Sequence, residues 1–172
     1  LNIAEHGSVP IARPVMMHDF AITEEDLVFL DAPGVFTLEA YIEGGPLLQW
    51  LPEHGARFHL LPRNGGPAHT YEIDPCYVFH FFNAFRHGEY VIVDAARLDH
   101  LELGLETDPT TPVPPVSSAT TRWIINTETA EVSERVLDTV PSDFPRIDDR
   151  RQGVVHRVGF AGNARARRSY PP

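Results

Sequence analysis

Apolar and polar residues alternate along much of this chain, which is the pattern of half-buried β-strands. Residues 15–23 and 27–30 are two such runs, and the acidic residues between them predict a turn. Residues 121–126 and 132–137 flank a polar pentapeptide and predict a hairpin. Further strands are predicted at residues 57–61, 70–73, 77–85, 90–95 and 154–161.

Helical signals are scarce, because 16 Pro and 12 Gly interrupt the chain. Only residues 45–51 and 96–105 predict a helical turn. Residues 108–118 contain four Pro and predict an exposed surface loop within one domain, since a strand pattern resumes directly after it. Antiparallel hairpins at this spacing predict an all-β sandwich, barrel or propeller. At ~40–50 residues per propeller blade, the chain would hold roughly three to four blades and could not close a ring.

Composition narrows the range of functions. The chain has 172 residues, of which 42% are hydrophobic, so one globular domain or a piece of one is expected. Acidic residues outnumber basic ones by 24 to 14, and a net charge of -10 argues against nucleic acid as a partner. Every basic residue is Arg, which excludes Lys-dependent chemistry. Cys76 is the single Cys, so no internal disulfide forms, and burial as a small apolar residue is expected for it.

No apolar run is long enough to span a bilayer, and the first ten residues carry no signal-peptide pattern. A cytoplasmic location is therefore expected. The chain starts without Met, and we expect residues 1–172 to be a single incomplete domain.

Two of the nine His occupy unusual positions. His18 and His80 each share an apolar face of a predicted strand, where an imidazole is expected to be buried. A buried imidazole must be hydrogen-bonded or ligated, and burial favours its neutral form, which binds metals. For either residue alone, core packing is the commoner explanation. The two lie 62 positions apart, so only the tertiary fold could bring them to one metal ion.

Three strings in the chain resemble signatures of one family. They are Met-His-Asp-Phe-Ala-Ile-Thr-Glu at 17–24, Asp-Pro-Cys-Tyr-Val-Phe-His-Phe-Phe-Asn-Ala at 74–84, and Phe-Pro-Arg-Ile-Asp at 144–148. All three resemble the carotenoid cleavage oxygenases, also called the retinal pigment epithelial membrane protein family. They occur in the family's order and near its spacing, and the resemblance extends from about residue 13 to residue 161.

The resemblance implies part of a seven-bladed β-propeller that holds a non-haem Fe(II) on its axis through four His. Such enzymes use O2 to split a carbon–carbon double bond in carotenoids, apocarotenoids or stilbenes. The matching strings assign the second iron ligand to His18 and the third to His80. The first and fourth ligands belong to parts of the family pattern that this chain lacks. The chain is therefore expected to be the middle third of an oxygenase, with weak iron binding and no turnover on its own.

Two positions depart from the family pattern. Asp143 stands where the family usually has a Glu that hydrogen-bonds the third ligand, and the shorter side chain is expected to need a backbone adjustment or a bridging water. Arg86 stands where an acidic residue is common, at a position expected to lie on the surface.

Phe79 and Phe82 are candidates for lining a dry, apolar substrate site, with core packing as the alternative.

Two other functions remain open at this stage. The first is a non-catalytic β-rich binding module in which the two His are separate core residues. The second is a hydrolase that uses a different metal ion. Peripheral membrane contact of the full-length protein is also left open, because the sequence alone shows no apolar entrance patch.

Overall fold

The computed structural model describes residues 7–103 and 116–163, and most of its regular structure is antiparallel β-strand. One short helix, α1, spans Leu38–Ile42, and single 3-10 turns lie at Pro52–His54 and Asp149–Arg151. The strands are β1 (Phe20–Ile22), β2 (Asp26–Asp31), β3 (Gly34–Phe36), β4 (Leu48–Trp50), β5 (Ala56–Pro62), β6 (His69–Ile73), β7 (Tyr77–His87), β8 (Tyr90–Leu98), β9 (Ser118–Asn126), β10 (Val132–Asp138), β11 (Ser142–Arg146) and β12 (Phe160–Asn163).

The strands form two four-stranded antiparallel sheets with the orders β1-β2-β5-β6 and β10-β9-β8-β7, and two strand pairs, β3-β4 and β11-β12. The all-β prediction is confirmed, and among the described residues each four-stranded sheet is open at both edges. The structure also confirms the predicted strands at 27–30, 57–61, 70–73, 77–85, 90–95, 121–126 and 132–137.

The core lies between the two four-stranded sheets. Phe58 of β5 and Trp123 of β9 are fully buried, and their ring centroids lie 5.4 Å apart with an edge-to-face tilt. The indole N–H donates to the carboxylate of Glu134 at 2.9 Å, so this buried aromatic keeps its polar group satisfied. Large aromatic rings from both sheets therefore fix the distance between them.

Both predicted helical turns are wrong over the described residues, and residues 104–105 of the second lie outside them. Residues 48–50 form β4, which pairs with β3, and residues 96–98 extend β8 along β9. The short helix lies earlier, at Leu38–Ile42. Cross-strand hydrogen bonds to a neighbouring strand outweigh the weak local preference that favoured helix at these positions.

The last predicted strand is mostly wrong, since only residues 160–161 of 154–161 belong to a strand, β12. The backbone of the preceding loop is held instead by the side chain of Asn83, which contacts Arg151, Gly153 and Val154. Of the predicted Pro-rich loop, residues 108–115 lie outside the described residues, and Ser118 is already the first residue of β9.

The expectation of a surface position for Arg86 is also wrong. Its guanidinium is half-buried and lies 2.8 Å from a carboxylate oxygen of the buried residue Asp26. Asp26 also accepts a hydrogen bond from the hydroxyl of Thr23. Arg86, near the end of β7, thus neutralises the buried carboxylate of Asp26 in β2.

Helix α1 presents apolar side chains to solvent. Leu38, Tyr41 and Ile42 have the i, i+3, i+4 spacing of one helical face and are all exposed, and no residue of the helix is buried. We call these three residues the α1 apolar face. Among the described residues, no helix combines the length and the apolar character needed to cross a bilayer.

Candidate metal centre

His80 lies near the middle of β7, at a point where the pairing with β8 is irregular. The register shifts between Val78 and Phe81 and again between Phe81 and Asn83. The shifts break the strict two-residue alternation that predicted burial, and the His80 side chain is 27% exposed. The ring is therefore accessible from one side while it remains attached to a rigid strand.

Asp143 of β11 hydrogen-bonds this ring directly, with 2.9 Å between its Oδ1 and the Nδ1 of His80. A carboxylate only accepts hydrogen bonds, so Nδ1 carries the proton and the lone pair lies on Nε2. The shorter acid thus reaches His80 without a bridging atom. The same oxygen also accepts the backbone N–H of Phe144. Phe144 has a φ of 53°, which is rare outside glycine. The pairing of β11 with β12 shifts register between Asp143 and Arg146.

His18 does not lie within a strand. It belongs to an irregular segment just before β1 and is exposed, so its predicted burial is wrong, and the predicted strand over residues 15–23 is confirmed only at residues 20–22. In β1 the buried residue is Ala21, whereas Phe20 is 52% exposed, which inverts the predicted face. The side chain of Asp19 bonds the N–H of Phe20, a local contact that competes with strand pairing.

The two imidazoles lie side by side. The ring centroids of His18 and His80 are 5.1 Å apart, with the planes nearly perpendicular. Among the described residues, none hydrogen-bonds the His18 ring, so its nitrogen lone pair is available. Imidazole nitrogens bind first-row metal ions at ~2.1 Å, and two adjacent rings can therefore be ligands of one ion.

The residues present fit part of an Fe(II) site. Neutral imidazole is a suitable ligand for iron, and the bond from Asp143 orients the His80 ring as carboxylates do for metal-bound His. Within residues 7–103 and 116–163, no group of three or more His, Cys, Asp or Glu is arranged to hold a metal ion. This part of the chain thus offers two imidazoles, and a complete site needs further ligands.

The two candidate lining residues occupy different places. The Phe79 ring lies 5.4 Å from the His18 ring and 4.8 Å from the Tyr77 ring, so it borders the candidate site directly. The ring of Phe82 packs closely against Gly159, where a Cβ atom would meet it at 2.8 Å. Among the described ring contacts, Phe82 has none with either imidazole.

Sequence reasoning missed two polar residues near the site. Asp19 accepts the backbone N–H groups of Phe20 and Phe81, and Asn83 bonds the loop that follows β11. Asp19 follows His18 directly, and Asn83 lies three positions after His80, so both lie inside the matched strings. That membership was the only sequence feature that could have pointed to them. Their roles depend on contacts made more than 60 residues away, so spacing alone could not reveal them.

Cys76 is fully buried, and burial raises the pKa of its thiol to about 12. The thiol therefore stays protonated at neutral pH and is a poor nucleophile and metal ligand. The prediction that it serves as a small buried apolar residue is confirmed.

The two open four-stranded antiparallel sheets fit the class of β-propeller segments, and the adjacent imidazoles of His18 and His80 add a candidate metal centre. The chain belongs to the retinal pigment epithelial membrane protein family, whose model matches residues 2–171. Its solved relatives are β-propeller enzymes, so the propeller prediction is confirmed for this segment.

Three relatives illustrate the similarity. The carotenoid 9,10(9',10')-cleavage dioxygenase of Crocus sativus is 32% identical over 148 residues, covering 82% of this chain and 27% of that protein. The crystal structure of Pseudomonas brassicacearum lignostilbene dioxygenase matches with a TM-score of 0.77 and 30% identity, covering 92% of this chain and 35% of that one. Cobalt-substituted Synechocystis apocarotenoid oxygenase matches with a TM-score of 0.76 and 25% identity, covering 88% and 33%. The chain thus spans about a third or less of each relative.

Proposed function

We propose that the full-length protein is a non-haem Fe(II) dioxygenase that splits a carbon–carbon double bond, and that this chain is the middle segment of its single propeller domain. The observation that carries the proposal is the side-by-side placement of His18 and His80, with Asp143 bonded to the Nδ1 of His80. In the proposal these two residues are the second and third iron ligands.

The reaction balances as one double bond plus one O2 giving two carbonyl products, with one oxygen atom in each. When bound, Fe(II) supplies open coordination positions at which O2 reacts. Asp143 holds the proton of His80 on Nδ1 and so leaves the Nε2 lone pair free to bind a metal ion. Phe79, against the His18 ring, excludes water from that side of the site.

The proposed substrate is an apolar polyene or a stilbene-like compound. Relatives named as a carotenoid-cleavage dioxygenase, an apocarotenoid oxygenase and a lignostilbene dioxygenase support this class. Phe79 and Phe82 remain the candidate lining residues, and the position of the Phe79 ring beside His18 favours it over Phe82. Polyenes and stilbene-like compounds both contain a carbon–carbon double bond that is conjugated with its neighbouring groups.

The test is the iron content and turnover of the full-length protein with His80→Ala. The matched control is His87→Ala, an exposed His at the end of the same strand. We expect His80→Ala to lose bound iron and cleavage, and His87→Ala to retain both. Unchanged turnover in His80→Ala would remove its role as a ligand.

Products formed under 18O2 separate the proposal from its rivals. One 18O atom in each carbonyl product supports dioxygenase chemistry, whereas products that carry no 18O point to a hydrolase with another metal. A full-length protein that holds no iron and cleaves nothing would instead be a binding module. Because the described part of the chain offers two imidazole ligands, the isolated segment is expected to bind iron weakly and to be inactive.

We also propose that the full-length protein is cytoplasmic and contacts membranes peripherally through the α1 apolar face. Its three exposed apolar side chains would enter the interface from which an apolar substrate is taken up. Sedimentation of the full-length protein with phosphatidylcholine vesicles tests the contact. Ile42→Ser should lower the bound fraction, and Thr129→Ser in an exposed hairpin turn should not change it.

A further inference from the structure

We propose that Asp19 is a positioning residue that sets the separation of the His18 and His80 rings. The proposal rests on the proposed function of the His pair as iron ligands. Asp19 is half-buried and follows His18 directly in the chain. Its role is to join the two segments that carry the imidazoles.

The carboxylate of Asp19 accepts two backbone hydrogen bonds, one from each segment that carries an imidazole. Oδ1 of Asp19 accepts the backbone N–H of Phe20 at 2.8 Å, and Oδ2 accepts the backbone N–H of Phe81 at 3.0 Å. Phe81 is the residue directly after His80. The bridge therefore connects positions adjacent to each imidazole, and a shift of the bridge moves both rings relative to one another.

The topology explains why a side chain is needed here. β1 and β7 are outer strands of different four-stranded sheets and are not paired with each other. The N–H groups that an outer strand turns away from its sheet need partners other than a neighbouring strand. Asp19 supplies that partner for Phe81, at the place where the β7–β8 register shifts.

A second hydrogen bond joins the same two segments at positions that precede the two imidazoles in sequence. The hydroxyl of Tyr77 donates to the backbone carbonyl of Met16 at 3.1 Å. Tyr77 is fully buried, and burial raises its pKa to about 12, so the hydroxyl stays protonated and able to donate. His18 and His80 are thus bracketed, with the Tyr77 bond before them in sequence and the Asp19 bond after them.

The most specific test is the Asp19→Asn variant, because Asn has nearly the same side-chain shape as Asp. Asparagine has one accepting oxygen and one NH2 group, so it cannot accept from two N–H groups at separate atoms. One of the two N–H groups would then face a donor. Asp19→Glu retains two accepting oxygens on a longer stem and is the rescue variant.

The experiment uses the full-length protein and Co²⁺ as the probe, and needs no turnover. The dissociation constant is measured by competition with a chromogenic chelator, and ligand geometry by the visible absorption of bound Co²⁺. We expect Asp19→Asn to bind Co²⁺ ~10–100-fold more weakly, with a changed absorption spectrum. Asp19→Glu should recover part of the affinity.

The matched control is Asp138→Asn, because the exposed Asp138 also accepts a backbone N–H, that of Val140, at 2.9 Å on a different strand. It should bind Co²⁺ like the wild type. If Asp19→Asn does not fold, Asp19→Ser decides, since its single short hydroxyl cannot accept from both N–H groups, and a wild-type spectrum and affinity in that variant overturn the positioning role.

Two negative results are distinguishable. If the wild type binds Co²⁺, His80→Ala abolishes binding, and Asp19→Asn matches the wild type, the positioning role is overturned and the proposed function stands. If the wild type binds no Co²⁺, or His80→Ala binds it equally well, the proposed function fails and the role of Asp19 fails with it.

Discussion

The side-chain oxygen of Asn83 accepts the backbone N–H of Gly153 at 2.9 Å, and this bond joins β7 to the loop that follows β11. The amide nitrogen of Asn83 donates to the carbonyl oxygens of Arg151 and Val154 at 3.1 and 2.9 Å. Asn83 lies three positions after His80, and β11 carries Asp143. One buried amide therefore holds together the two elements that form the His80–Asp143 bond.

Replacing Asn83 should destabilise the protein. Asn83→Ala leaves a buried N–H and two carbonyl groups without their partner, and we expect a loss of about 3 kcal/mol in the free energy of unfolding. Denaturant unfolding of the full-length protein measures it. Asn64→Ala, in an exposed turn, is the control and should have little effect. Equal stability of the two variants would contradict the role of Asn83.

Asp143 should control metal affinity through His80. Asp143→Ala removes the group that fixes the proton on Nδ1, and we expect Co²⁺ to bind ~10–100-fold more weakly in the full-length protein. Asp143→Glu, which introduces the family's usual residue, should not bind Co²⁺ more tightly, because the present bond is already direct at 2.9 Å. Chelator competition measures both. Tighter binding by the Glu variant would show that the shorter acid limits the site.

Phe144 should carry backbone strain. Its φ of 53° is in the left-handed region, which costs a non-glycine residue about 1 kcal/mol. Phe144→Gly and Phe144→Ala both remove the ring that stacks on His80 at 4.9 Å, but only glycine removes the strain. We expect the Gly variant to be more stable than the Ala variant by about 1 kcal/mol in denaturant unfolding. The opposite order would mean that the backbone is unstrained.

Arg86 should contribute to the stability of the fold because Asp26, its ion-pair partner, is buried. Arg86→Ala leaves the Asp26 carboxylate without its cation, and loss of one partner of such a pair costs about 3 kcal/mol. Thermal and denaturant unfolding should both show the loss. Arg150→Ala, which breaks an ion pair with Asp148 on the surface, is the control and should be close to the wild type. A similar loss in both variants would argue against burial as the cause.

His156 should make stability depend on pH. Burial lowers the pKa of its imidazole below 6.5, while the Asp94 carboxylate, 3.3 Å away, acts in the opposite direction and Arg122 adds to the lowering. The unfolded chain therefore takes up a proton at a higher pH than the folded protein. The free energy of unfolding should be fully retained above pH ~6.5 and should fall as pH drops below it.

The measurement is denaturant unfolding between pH 7.5 and 5.5 in the wild type and in His156→Gln. The variant should show a smaller pH dependence, because the titrating group is gone. His87→Gln, at an exposed position, should keep the wild-type slope. A slope that does not change in His156→Gln would assign the pH dependence to other groups.

Most of the β-strands could be predicted from the sequence, because alternation of apolar and polar residues reports which face of a strand is buried. β8 and β9 followed that pattern, and the predictions matched the first residue of β8 and the last residue of β9 but were three residues short at the other end of each strand. β3, β4 and β11 were missed, since strands of three to five residues carry too few positions to show a period. The matched strings also selected His18 and His80 from the nine His of the chain.

Residue identity by itself determined the family, the all-β class and the candidate ligands, because these depend on local patterns and on strings of fixed spacing. Only the tertiary structure decided that the two rings lie 5.1 Å apart, that Asp143 reaches His80 directly, and that Asp19 bridges the two segments. Each of these contacts joins residues more than 60 positions apart. Such contacts depend on how separate sheets pack against one another, and no local pattern encodes that geometry.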